Sequence, residues 1–505
     1  MMAPIESSST RAGISLEALA HALARHAPRL VGDATQRVFG IHQDSRLVER
    51  GDLFVARAGR RANGAAFAQD ALARGAVAVL AERAQPLPAV AVPLLEVDDA
   101  ARALSFAAEA IYGEPSRSLG VVGITGTNGK TTTTWLVEHA LAQCGHAPAR
   151  LGTLGYTFAG SETDLGMTTP GADDVSRLLA RTRDAGGTHF VMEVSSHALA
   201  QARVAALQFE VAAFSNLTLD HLDFHGSLAE YGAAKALLFT ELAPRHSVVN
   251  IDDAFGVKLA ERAKGRVLRV SKRAPADLYP SAISVGPDGI RGNIVTPKGD
   301  ILLASRLVGE HNLDNLLLGA GILLSLGVAP AEIGTVLSAS PQVPGRLERC
   351  DEPSDDLPVL VDYAHTPDAL ERVLVAVRAL TTGRVLCVFG CGGDRDPQKR
   401  PQMGAAVGRL ADRAFLSNDN PRSEDPRAIA AQVEVGLRGG QASYEVELDR
   451  ARAIERAVLE ASAGDVVLIA GKGHEPYQLI GKERLSFDDR VEARRALSIR
   501  RGGRG

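Results

Sequence analysis

The stretch richest in chemistry is Gly126-Thr127-Asn128-Gly129-Lys130-Thr131-Thr132. Glycines let backbone N–H groups approach phosphate oxygens. A lysine beside them neutralises outer phosphates, and an adjacent hydroxyl, here Thr131, can ligate Mg²⁺. The strict motif, G-x-x-x-x-G-K-[ST], wants a glycine at position 124; Ile124 stands there and Gly123 precedes it. The chemistry indicated is nonetheless the cradling of a nucleoside triphosphate. A second group is Glu193-Val194-Ser195-Ser196-His197, where an apolar run ends in a carboxylate and hydroxyls. Glu193 is there a candidate for holding Mg²⁺ opposite the phosphates. A third is Asp220-His221-Leu222-Asp223-Phe224-His225-Gly226. Gly226 argues against a helix over it, so His221 reads as a Mg²⁺ or phosphate contact rather than half of a transition-metal pair.

These residues need scaffolding. The β-branched run Leu119–Ile124 predicts a buried strand, and Val137, Leu141 and Cys144 on one face before Gly145 predict a helix. A helix N-terminus behind the loop adds unpaired N–H groups and partial positive charge. Residues 16 to about 112 read as a small α/β unit with strands at 53–56, 76–80 and 91–95 and helices at 67–74 and 100–111. Its polar loops Gln43–Arg46 and Gly59–Gly64 could hold an anion such as a diphosphate. Gly113–Ser116 and Ser340–Arg346 read as breaks, giving domains 1–115, 116–343 and 344–505. A helix predicted from Leu228 to about Leu242 carries Lys235, which on chemistry alone reads as a snorkelling surface lysine. Asn312 precedes an apolar helical run, 316–326, where it would cap the helix or touch a base. The last third alternates strand and helix, with strands at 359–363, 385–389, 413–416, 444–447 and 466–470, predicting a parallel, Rossmann-like sheet. Asp362–Asp368, Gly390–Asp396, Asp419–Arg422 and Gly471–Glu475 follow those strands and would converge on one sheet edge.

Composition sets limits. The 505 residues, 45% of them hydrophobic, exceed one core. A net charge of −4 points to neither nucleic acid nor an anionic membrane surface. No apolar run approaches the roughly 20 residues needed to span a bilayer. Four cysteines read as reduced thiols of a cytoplasmic protein, and Cys387 and Cys391 lack the second pair a zinc site needs. The two ends, MMAPIESSSTRAG and RRGGRG, read as polar tails.

Taken together, GTNGKTT at Gly126–Thr132, EVSSH at Glu193–His197, NLTLDHLD at Asn216–Asp223, His311-Asn312, Pro344-Gly345-Arg346, DYAHTPD at Asp362–Asp368 and GKGHE at Gly471–Glu475 make this chain resemble the Mur ligase family. These are ATP-dependent amide-forming enzymes of peptidoglycan synthesis, related to folylpolyglutamate synthases. The resemblance implies three α/β domains: an N-terminal uridine-diphosphate domain, a central ATPase-like domain with a mostly parallel sheet, and a C-terminal Rossmann-like amino-acid domain. It implies ATP at Gly126–Thr132, Asn312 and Arg346, and two Mg²⁺ ions held by Thr131, Glu193, His221 and Lys235, the lysine as its carbamate. It implies a UDP-muramoyl-dipeptide on Gln43, Ser45, Arg60, Arg61, Ala62, Thr168, Thr169, Ser195, Gln201 and Arg203. Met167 stands where members often carry asparagine.

Asp419-Asn420-Pro421-Arg422 is the pattern of members that use meso-diaminopimelate rather than L-lysine. The two amino acids differ by one carboxylate, which Arg422, helped by Arg395, can hold bidentately. By the same resemblance Asn420, Gly471 and Glu475 take the amino acid's other polar ends. The implied reaction runs through an acyl phosphate of the D-glutamate carboxylate, with Lys130, Glu193, His221, Lys235, Arg346 and Asp362 in catalytic roles and a hinge near Arg346. A cytoplasmic monomer is expected. The alternatives are an L-lysine-adding homologue, a folate-glutamylating relative, or a phosphate-loop ATPase serving as switch or motor.

Overall fold

The computed structural model describes residues 13–59, 63–273, 275–286 and 289–503. These form two compact units. One comprises residues up to 271 with 276–278 and 318–329; the other comprises 272–275, 279–317 and 330 onward.

The first unit holds a five-stranded and an eight-stranded sheet. In the smaller, Gly40–His42, Asp52–Ala56, Ala78–Glu82 and Leu94–Val97 run parallel, and Arg29–Val31 closes the edge antiparallel. In the larger, Gly120–Thr125 lies between His189–Glu193 and Val211–Phe214, parallel to both. Each of the three is almost wholly apolar and buried, as strands covered on both faces must be. Pro148–Gly152, His246–Asn250 and Arg266–Val270 extend the parallel run. The C-terminal ends of the three central strands therefore deliver Gly126, Val194 and Ser215 to one sheet edge, where open α/β sheets bind ligands.

The second unit is organised on a six-stranded sheet in the order Glu348–Arg349, Val359–Asp362, Val466–Ala470, Val385–Phe389, Arg413–Leu416, Ser443–Val446, parallel except for its first strand. Helices Pro367–Arg378, Lys399–Leu410, Pro426–Leu437 and Arg450–Glu460 alternate with these strands, as the sequence pattern predicts. Arg450 and Asp489 form an ion pair with both side chains fully buried. The guanidinium also donates to the carbonyls of Asn418 and Ala470, tying two strand ends together.

Several expectations shift. Two first-unit strands begin two to three residues later than the apolar runs suggest, at Ala78 and Leu94, while the strand expected at 53–56 runs Asp52–Ala56. Pro93, which has no N–H, receives Val79 N–H on its carbonyl and leaves the ladder to start after it. The helix expected at 67–74 is a 3₁₀ turn, Gly64–Phe67, followed by Ala68–Ala73. Leu222–His225 is a one-turn helix despite Gly226: the glycine, at φ 77°, ends the turn rather than preventing it. Asn312 lies inside the helix Glu310–Ser325 rather than ahead of it. Among the elements that carried no sequence expectation are the strands Pro148–Gly152, His246–Asn250 and Arg266–Val270, the antiparallel sheet Tyr279–Gly286, Gly289–Val295, Ile301–Ser305, and the hairpin Tyr477–Ile480, Glu483–Ser486.

Candidate functional site

In the first unit the glycine loop closes as the sequence predicts. Gly126 has φ 143° and Gly129 φ 86°, conformations that L side chains avoid. A Cβ on Gly126 would also run into Ser215 Oγ. Thr127 N–H donates to Asn216 O and Asn128 N–H to Asn216 Oδ1, so the neighbouring strand end holds the loop open. Lys130 Nζ bridges the carbonyls of Gly126 and Thr127 at 3.0 and 2.9 Å. Thr131 and Thr132 are buried in the first turn of helix Lys130–Gln143.

Lys235 corrects the snorkelling reading. It is 1% exposed, because helix Leu228–Thr240 turns it inward onto the loop rather than out to water. Its Nζ donates to Gly126 O at 2.7 Å and lies 4.2 Å from the Tyr231 ring centroid. Burial, and then repulsion from Lys130, lower its pKa well below the ordinary lysine value. His221, in the left-handed conformation, stands by Asp220 and edge-on to His197. Burial lowers its pKa, with Lys130 and Lys235 adding to the shift. The Glu193 carboxylate receives Thr153 N–H at 2.8 Å and Thr153 Oγ–H at 3.2 Å. No group of three His, Cys, Asp or Glu side chains among the described residues is arranged to hold a metal ion.

Around Glu193 lies a connected polar network. Thr169 Oγ donates to Glu193 O and accepts from Ser195 N–H; Thr168 Oγ pairs with Thr153 Oγ; Arg203 reaches Thr169 O and Gln201 Oε1. Met167 Sδ lies 3.9 Å from Arg203. Ser195 also caps the helix Ser196–Ala200 through Ala198 N–H. Gln43 and Ser45 sit at the end of strand Gly40–His42, and Gln43 is clamped between Arg57 and Asp173. Thr153 and Asp173 were not anticipated, since neither lies in a recognisable motif. Arg60, Arg61 and Ala62 lie outside the described residues.

In the second unit the predicted convergence of strand ends is realised. Gly393 N–H donates to Asn420 O, joining the loops after Val385–Phe389 and Arg413–Leu416. Arg422 is half-buried, at φ 50°, its backbone paired with the hairpin through Leu479 O and Gly481 N–H. Its Nη1 donates to Gly393 O at 2.8 Å; Nε and Nη2 have no acceptor among the described residues. Arg395 is exposed, and a Cβ on Gly392 would meet both arginines. Asn420 Nδ2 donates to Glu475 Oε2 at 3.1 Å, and its Oδ1 accepts Leu479 N–H at 2.9 Å. Asp419 and Pro421 are buried beside it, and Gly471, at φ 125°, faces Asp419. Lys472, in the GKGHE run but assigned no role from sequence, is fully buried among these groups.

Asp362 and Arg346 also meet here. Both Asp362 oxygens are taken, by Leu347 N–H and Ala364 N–H at 2.8 Å, and burial raises its pKa. Arg346 lies over the Tyr363 ring, 4.6 Å from its centroid. Asn312 Nδ2 donates to Val308 O, just ahead of the helix, and Oδ1 accepts from Asn315 within it, so both ends of the amide bond to nearby chain. His311 shares a cavity of about 520 Å³ with Asp314, Asp368 and Arg372.

Three family models match the chain: the Mur ligase family catalytic domain over residues 37–112, the Mur ligase middle domain over 124–323, and the Mur ligase glutamate ligase domain over 345–473. The UDP-N-acetylmuramoyl-L-alanyl-D-glutamate–2,6-diaminopimelate ligase of Gloeobacter violaceus is 48% identical over 92% of this chain and 94% of its own length. That of Synechococcus elongatus is 46% identical over 92% and 94%. Among solved structures, one of a ligase with the same name is 32% identical, with TM-score 0.71, covering 97% of this chain and 99% of that one. The MurF ligase of Thermotoga maritima, solved with ADP, shares the fold at 19% identity and TM-score 0.62, covering 92% of this chain and 98% of that one. With a phosphate loop in one unit, strand ends converging in the other, and near full-length identity of this order, the chain belongs to the Mur ligase family.

Proposed function

We propose that this chain is an ATP-dependent amide ligase that joins an amine of meso-2,6-diaminopimelate to the D-glutamate carboxylate of UDP-N-acetylmuramoyl-L-alanyl-D-glutamate. The relatives that match almost end to end carry that name. The observation that carries the choice of amino acid is Arg422. A half-buried guanidinium whose Nε/Nη2 fork has no acceptor among the described residues suits a carboxylate, which lysine as guest would not supply.

In this reading the loop amides and Lys130 gather charge on the γ-phosphoryl group of ATP. The D-glutamate carboxylate oxygen attacks phosphorus and ADP leaves, giving an acyl phosphate. The amine then attacks the acyl carbon, loses a proton, and phosphate departs. No side chain forms a covalent bond with substrate, and positioning supplies most of the acceleration. Thr168, Thr169, Ser195, Gln201 and Arg203 border the muramoyl-dipeptide, and Gln43 and Ser45 the uridine diphosphate. His221 touches phosphate from the sheet edge. Asp362 anchors the backbone around Arg346.

The chemistry of the donor set fits Mg²⁺, a hard cation that takes oxygen ligands: the Thr131 hydroxyl, Glu193, and Lys235 once carbamylated. Bound there, Mg²⁺ would neutralise phosphate charge. A lysine ammonium cannot ligate a cation. Lys235 is held toward its neutral amine, the form that takes up CO₂ and becomes an anionic oxygen donor. The same reading assigns domains 1–115, 116–343 and 344–505, a monomeric active species and a cytoplasmic location.

The test is phosphate release from ATP with the UDP-muramoyl-dipeptide, run in parallel with meso-diaminopimelate, L-lysine or no amine. Release requiring meso-diaminopimelate supports the proposal. Preference for lysine removes the role given to Arg422, and release without amine indicates an ATPase.

A further inference from the structure

Between Gly471 at φ 125° and Gly473 at φ 55°, the backbone turns the Lys472 side chain fully into the second unit. Burying an ammonium is costly unless anions and hydrogen-bond acceptors surround it. Lys472 Nζ has three such partners: Asn420 Oδ1 at 3.2 Å, Glu475 Oε2 at 3.4 Å and Asp419 Oδ1 at 3.7 Å. The Asn420 amide has one orientation here, because Leu479 N–H can only donate and therefore faces Oδ1. Its Nδ2 then points at Glu475 Oε2. That oxygen takes both Asn420 and Lys472, while Glu475 Oε1 has no donor among the described residues.

From this geometry we infer that Lys472 is the positioning residue of the amine pocket. It does not meet substrate itself. It holds Asn420 and Glu475 in register, and it reduces two carboxylates, Asp419 and Glu475, to a net charge of −1. One unit of negative charge beside the Arg422 fork matches one ammonium and one carboxylate, the two charged groups at one end of a diamino diacid. Without Lys472 the two carboxylates share the pocket uncompensated, and Glu475 loses one of the two donors that aim it. Arg450, the other buried cation here, is committed to Asp489 and cannot substitute.

The inference rests on the proposed amino-acid specificity, and the experiment separates the two. Full-length wild type, Lys472→Met and Lys472→Arg are compared by steady-state phosphate release, with thermal melting as a check on folding. For Lys472→Met, loss of charge-assisted hydrogen bonds raises KM for meso-diaminopimelate by about tenfold to a hundredfold, with kcat less affected. KM for ATP and for the UDP-muramoyl-dipeptide stays unchanged, and Lys472→Arg recovers part of the loss. If Lys472→Met melts early, Lys472→Gln, which keeps a donor without charge, is read in the same way. A folded variant with unchanged KM for the diamino acid overturns the inference, as does an equal rise in all three KM values. A wild type that never needs the diamino acid refutes the proposed function instead.

Discussion

Lys235 and Lys472 are both buried, 1% and 0% exposed, and they are buried in opposite company. Around Lys235 stand a carbonyl, an aromatic face and a second lysine, with no carboxylate in ion-pair range among the described residues. Around Lys472 stand two carboxylates and an amide oxygen. Burial alone therefore does not decide what a lysine does. Burial without a paired anion disfavours the charged form of an amine, and a neighbouring anion offsets that penalty. The phosphate-loop region, built from backbone N–H groups and glycine dihedrals, buries its lysine against a carbonyl and a ring. The amine region, built from side chains on four strand ends, uses its lysine to set a charge balance.

The largest break in that comparison is Lys235→Ala. It removes the oxygen donor that carbamylation would supply and lowers kcat by about a hundredfold to a thousandfold, the range for losing one electrostatic stabiliser. Wild type slows in CO₂-depleted buffer and recovers with bicarbonate, whereas the variant ignores bicarbonate. A wild type indifferent to CO₂ would show that Lys235 acts unmodified. Next in size, Arg422→Ala raises KM for meso-diaminopimelate by about tenfold to a hundredfold and erases the preference over L-lysine, leaving KM for ATP alone. A preserved preference would move the specificity elsewhere.

The smallest effect extends the rule to a histidine. Burial, and then His146, hold His189 down to a pKa of about 4. The folded state stays neutral there while the unfolded state, with its ordinary value of 6.5, takes up a proton. That contribution is complete above pH 6.5 and is lost as pH falls toward 4. Urea midpoints of wild type should fall between pH 7 and pH 5, and His189→Gln should narrow that fall, by no more than about 1.4 kcal/mol per pH unit. An unchanged difference would mean His189 does not titrate with unfolding.

Legibility in the sequence followed range. Gly126–Thr132 was readable because strand, loop and helix are contiguous and each residue's role is local. The parallel sheet of the last third was readable because its central strands are continuous apolar runs. The sheet at 279–305 and the hairpin at 477–486 escaped because short strands exposed on one side mix polar and apolar residues. Asn312 was misplaced by reading the helix from its apolar run alone: the structure starts it at Glu310, six residues before that run.

By itself the sequence determined the phosphate-loop motif, the α/β class and the kinship with Mur ligases. Residue type and local spacing suffice where the physics is local. Only the tertiary structure decided that Lys235 turns inward, that Asp362 spends both oxygens on backbone amides, that Arg422 keeps a fork unused, and that Lys472 sits among Asp419, Asn420 and Glu475. Those outcomes depend on which groups distant segments bring within hydrogen-bond range, and a buried charge takes its state from that company rather than from its neighbours along the chain.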